Sequence, residues 1–153
     1  MKKNKKGFTL VELVIVVAVM AVLVAVAIPT VTSITKTAQR AVADTNAHTI
    51  ESTLKLMEAN LSKDNATFTE LSDTNIIAAL KDAKLGIDEG TFIYNSANGT
   101  VLPVYPSNYQ DKDASGKVTD KIAAEEGEWT ITFATASGTT TITAEKKPVQ
   151  NKG

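Results

Sequence analysis

A single acid, Glu12, stands just ahead of an unbroken apolar run from Leu13 to Ile28. A charge inside a membrane segment is costly, roughly 2.5–3.5 kcal/mol for Asp, Lys or Arg at a helix centre and somewhat less near an end. A residue that carries such a cost is a functional candidate by default. Its chemistry would be electrostatic, because a buried carboxylate is tolerated only when a cation meets it in good geometry. The ordinary alternative is an acid favoured by the dipole at a helix N-terminus. That alternative leaves the flanking pattern unexplained: Lys2, Lys3, Lys5 and Lys6, then Gly7, Phe8, Thr9 and Leu10.

Other residues with chemical potential are sparse. The chain has no cysteine, which excludes disulfides, thiolate metal sites and a cysteine nucleophile. His48 is its only histidine and follows Asp44 by four residues, a spacing that suits a hydrogen-bonded pair on a helix and equally suits a solvent-facing histidine. No serine sits in a Gly-x-Ser-x-Gly elbow, and no phosphate loop or glycine-rich nucleotide turn is present. Glu125, Glu126 and Glu128 read as a solvated acidic run. Asp111, Asp113 and Ser115, with Gly116, match the opening of a calcium loop, but Ile122 stands where the bidentate glutamate belongs. An Asp- and Gly-rich surface turn is the simpler account. No enzyme activity and no cofactor are expected, with calcium the only candidate ion.

The elements that must position Glu12 are legible. Residues 8–28 number 21, about the 20 that a helix needs to cross a bilayer core. The lysines before them favour a cytoplasmic N-terminus. A secretory signal is the competing reading, with Ala25-Val26-Ala27 as its cleavage site. Its apolar region would be too long, and it explains neither Glu12 nor the Gly7–Phe8 junction. Beyond Pro29, a kink is expected because proline removes a donor and clashes with the preceding turn. The β-branched stretch Thr30–Thr35 is weakly helical. Ala43, Ala47, Ile50, Leu54, Met57 and Leu61 then draw one apolar stripe, flanked by a Glu51–Lys55 pair. A helix from Phe8 to Leu61 would span about 81 Å at 1.5 Å per residue.

The remainder predicts a small α/β head. Residues 60–69 are turn-rich. Ser72 or Asp73 caps a short helix with Ile76, Ile77 and Leu80 that stops near Gly86. Four strands follow: Thr91–Asn95, Thr100–Tyr105, Glu128–Thr135 and Thr139–Ala144. Turns at Asn98-Gly99 and Ser137-Gly138 join them in hairpins, and Pro103 marks a short or edge strand. They form one antiparallel sheet, of unreadable order, on the helix stripe. The tail 146–153 is frayed or edge-lying. At 153 residues there is room for one modest domain beyond the N-terminal segment. Sixteen basic residues oppose seventeen acidic ones; without residues 1–7 the balance is twelve to seventeen, and no basic patch points to nucleic acid.

The run Gly7-Phe8-Thr9-Leu10-Val11-Glu12, behind a short basic leader, resembles the processing site of type IV pilins and pseudopilins, a class III signal. The resemblance is specific for Lys5 to Pro29 and supportive to Leu61. It implies an α+β pilin fold: a long N-terminal helix packed on an antiparallel sheet of about four strands. It divides the chain into a leader (1–7), a transmembrane and assembly helix (8–29), an amphipathic helix (30–61) and a globular head (62–153). A membrane-embedded prepilin peptidase would cut after Gly7, whose small size lets the backbone be approached closely, and methylate the amine of Phe8. Glu12 would pair with the Phe8 amine of a neighbouring subunit. The subunit would sit as a single-pass membrane protein before assembly, then in an extracellular filament of like chains. An assembly ATPase and a platform protein would be its partners. Relatives often carry glycine at the position of Ala21, and this chain departs from them there. The lack of the disulfide common in Gram-negative pilins points toward a Gram-positive source. A pseudopilin or minor pilin shares this architecture. From a different class, a membrane-anchored extracellular binding module would need neither Glu12 nor Phe8. Motility, adhesion, DNA uptake and secretion are not distinguished.

Overall fold

The computed structural model describes residues 8–61 and 70–150, with Pro29 and Thr30 described in backbone only. The turn-rich stretch from 62 to 69, the leader to Gly7 and the last three residues lie outside that description, while the backbone runs on as helix through Pro29. The chain divides into two compact units, Met1–Ala38 and Gln39–Gly153. Helix α1 runs from Leu10 to Leu61 and contributes to both.

In the second unit the expected stripe is the buried one. Ala47, Ile50, Leu54 and Met57 are all buried and join one core with Phe92, Tyr94, Trp129, Ile131 and Phe133. Full burial of each large aliphatic side chain contributes about 1.5–3 kcal/mol. The Glu51–Lys55 pair forms at 2.6 Å. Threonines along α1 satisfy their hydroxyls within the helix by bonding back to the preceding turn, as Thr35 Oγ1 does to the Val31 carbonyl at 2.9 Å.

Helix α2 (Asp73–Asp82) is capped by Ser72, whose side chain accepts the Asn75 N–H at 3.3 Å. It ends earlier than Gly86, where the sequence places the stop. The chain already turns at Lys84, which has a positive φ of 48°. Four antiparallel strands follow: β1 (Gly90–Asn95), β2 (Thr100–Val104), β3 (Trp129–Ala136) and β4 (Thr139–Lys146), in the order β2-β1-β3-β4. Each sequence-predicted strand is present. Pro103 lies on an edge strand, where a missing donor costs little. The Ser137-Gly138 turn has φ of 51° and 76°, the two left-handed residues of a tight hairpin. Lys146 belongs to β4, and Lys147 continues alongside residues 127–128, donating its N–H to the Glu128 carbonyl at 2.8 Å.

The β1–β3 pairing brings together the inner faces. Phe92 meets Phe133 edge-on at 5.9 Å and Tyr94 meets Trp129 at 5.7 Å. Trp129 Nε1 donates to Asp73 Oδ1 at 2.8 Å, which ties α2 to the sheet. The long β2–β3 connection is held to α1 by Arg40, which makes a two-point contact with Asp120 at 2.8 and 3.0 Å and donates to the Tyr109 carbonyl at 2.9 Å. Its guanidinium also lies over the Tyr105 ring, 3.8 Å from the centroid.

Two buried phenols fasten the sheet to the helix: Tyr94 donates to Glu58 and Tyr105 donates to Asp44. Burial first, and then the adjacent carboxylate, pushes the Tyr105 hydroxyl up to about 12 and raises that of Tyr94 as well. A pKa raised in the folded state gives stability that is complete below the unfolded value of about 10 and lost as pH rises through the folded one. Alkaline titration followed by tyrosine absorbance and circular dichroism should therefore show Tyr94 and Tyr105 ionising later than a free phenol, together with unfolding. Ionisation of both at the free-phenol pH, with the fold intact, would contradict these contacts.

Candidate functional site

The N-terminal unit has no core of its own to hide in. The large apolar side chains from Leu10 to Ile28 are at least half exposed, including Leu13, Val17, Leu23 and Ile28. The helix is long and apolar enough to cross a membrane, and none of that apolar stretch is buried within the chain. A helix that is apolar all round needs an apolar environment supplied from outside, either lipid or other helices.

At its start the local geometry is specific. Thr9 precedes the first helical residue, and its hydroxyl accepts the Glu12 N–H at 3.3 Å. Glu12 reaches back: its Oε2 accepts the Thr9 N–H at 2.8 Å and the Thr9 hydroxyl at 2.9 Å. This reciprocal pair is a capping box, which satisfies donors left over at the helix terminus. Thr9 carries no separate role in the sequence expectations, although the Thr-x-x-Glu spacing is the signal for it. Phe8 is 87 % exposed beside this cap. Gly7 lies outside the described residues.

The other candidates disperse. Asp44, paired by spacing with His48, accepts the Tyr105 hydroxyl, and His48 is exposed. Asp111, Asp113 and Ser115 share a small turn closed by the Lys112–Val118 bridge. Asp113 Oδ1 accepts the Ser115 N–H at 2.8 Å, the Ser115 hydroxyl at 2.6 Å and the Lys117 N–H at 3.0 Å. These bonds, the serine hydroxyl foremost, hold its carboxyl below the usual range. Asp111 lies 3.1 Å from Arg40. Among the described residues no group of three or more His, Cys, Asp or Glu side chains is placed to hold a metal.

One sequence expectation is corrected here. Glu128 is not part of a solvated run: it is 5 % exposed, while Glu125 and Glu126 are exposed. Burial alone would raise its pKa, but the Glu125 N–H, Lys121 and Asn95 outweigh that and hold it low. The strand alternation gave no warning. The residue is buried because the β2–β3 connection folds over it.

Residues 2–28 match the prokaryotic N-terminal methylation motif. The chain thus carries the class III signal of a type IV pilin-like or pseudopilin precursor, and the long helix with its four-stranded antiparallel sheet is the α+β architecture of a pilin. The motif is that of a structural family. It implies processing by a prepilin peptidase and assembly into a pilus-type system. No curated protein and no solved structure matches the chain.

Proposed function

We propose that this chain is the structural subunit of a type IV pilus. The observation that carries the reading is the methylation motif over residues 2–28, set on a helix whose apolar surface finds no cover in its own chain. Prepilin peptidase cuts between Gly7 and Phe8 and methylates the Phe8 amine. The apolar segment stays with the mature chain because the cut falls before it. The bilayer holds the subunit until an assembly ATPase and platform protein draw it into a filament. There the N-terminal helices pack against their copies, and Glu12 meets the Phe8 amine of a neighbour. The lipid and the filament core are alternative solvents for one surface, and the head remains outside.

Mass spectrometry of material sheared from the cell surface tests the processing step. The expected terminus is N-methylated Phe8. An intact Met1 leader, or a terminus at Ile28 left by signal peptidase, would refute it.

A further inference from the structure

Three groups meet where the chain enters β3. Glu128 Oε1 accepts Asn95 Nδ2 at 2.9 Å and Lys121 Nζ at 2.7 Å, so amide and amine share one oxygen atom. Lys121 Nζ also lies 2.7 Å from Glu128 Oε2 and 3.8 Å from the exposed Glu125 carboxylate. Glu128 is fixed further by the Glu125 N–H, which donates to Oε2 at 2.7 Å. Asn95 Oδ1 accepts the Ala97 N–H at 2.9 Å, which sets the amide with its nitrogen toward Glu128. Asn95 ends β1 immediately beyond the Tyr94–Trp129 pair, and Glu128 immediately precedes β3. Buried Ile93 and Ala124 lie close by in sequence on the same two segments.

An amine and a carboxamide held against one buried carboxylate are the parts of a transamidation. We propose that Lys121 and Asn95 join in an intramolecular isopeptide bond, with Glu128 carrying the protons. The pair starts charged. Glu128 takes a proton from Lys121 Nζ across their 2.7 Å contact, which leaves a neutral amine beside a neutral acid. The Nζ lone pair attacks Asn95 Cγ. Negative charge develops on Oδ1, where the Ala97 N–H already donates. Glu128 returns its proton to Nδ2 and takes the second one from Nζ. The Cγ–Nδ2 bond breaks, and the departing ammonia leaves with that proton as ammonium. One C–N bond forms, one breaks, the Glu128 carboxylate is regenerated, and no oxidant or external reactant enters.

The product would close residues 95–121 into a covalent loop. A cross-link between segments distant in sequence removes conformations from the unfolded chain and so favours the folded one. In a chain without cysteine it would serve where a disulfide is unavailable. It does not depend on polymerisation.

Intact-mass measurement of the full-length chain, extracted from membranes in detergent, tests it. Beyond any change at the N-terminus, the mass should fall short by about 17 Da, one ammonia. Digestion should release a branched peptide joining Asn95 to Lys121. Lys121→Arg keeps the cation but has no nucleophilic amine, and should restore the full mass in a folded protein. The full mass in the wild-type chain overturns the proposal. So does a deficit that maps to a succinimide at Asn98-Gly99, or one that persists in Lys121→Arg.

Discussion

A Glu12→Ala chain is expected to reach the membrane and lose its leader normally, yet give no filaments when cells are sheared. In the filament reading, the substitution leaves the Phe8 amine of every neighbouring subunit as an uncompensated cation in an apolar core. Breaking a buried pair in this way costs about 3–5 kcal/mol. That weakens each subunit addition by roughly two to four orders of magnitude. Electron microscopy of the sheared fraction, with immunoblots of the membrane pool, reads both halves of the expectation. Normal filaments from the alanine variant would remove the assembly role from Glu12. The capping box adds a discriminating control. If Glu12 acts only as a cap, its loss costs about 1 kcal/mol and Thr9→Ala should have the same phenotype. In the filament reading, Thr9→Ala leaves filaments in place.

The second large effect is expected at Trp129, which is 1 % exposed. Its truncation to alanine removes the ring that meets Tyr94, leaves Asp73 without its indole donor and strips Lys146 of the ring it covers at 4.4 Å. Large aromatic truncations in a core cost about 3–5 kcal/mol, against a total of about 5–15 kcal/mol for a typical domain. Thermal or urea denaturation of the full chain in detergent should show the head near its limit of stability. Trp129→Phe, which keeps most of the ring but loses the hydrogen bond to Asp73, should lose about 1–3 kcal/mol. A midpoint unchanged in Trp129→Ala would show that the sheet does not rest on this residue.

Much of the architecture is legible because local periodicities and tertiary packing agree. The 3-4 spacing from Ala47 to Met57 declares a buried helix face. The alternation of Trp129, Ile131 and Phe133 declares a strand, and Ser137-Gly138 declares the turn that follows. Strand order is not legible in the same way, since it depends on β1 pairing with β3 across the long connection between them. Arg40 illustrates the same limit: its partners Asp111 and Asp120 are some seventy to eighty positions away, and no spacing rule links them. Glu128 is the sharpest case. Three glutamates within four residues read as solvated surface, and only the fold of the overlying connection separates the buried one from the others. At the N-terminus the signal is local, and the Thr-x-x-Glu spacing that the capping box uses can be read directly from the sequence.

In the filament reading, the capping box would also bear on any return of a subunit to the membrane. A carboxylate that found a partner only in the polymer would make withdrawal into lipid a one-way obstacle, with a bare charge waiting on the far side. Glu12 has the Thr9 amide and hydroxyl within its own chain. In the filament reading it would exchange one set of donors for another in either direction, and the same few atoms would make a subunit as recoverable as it is insertable.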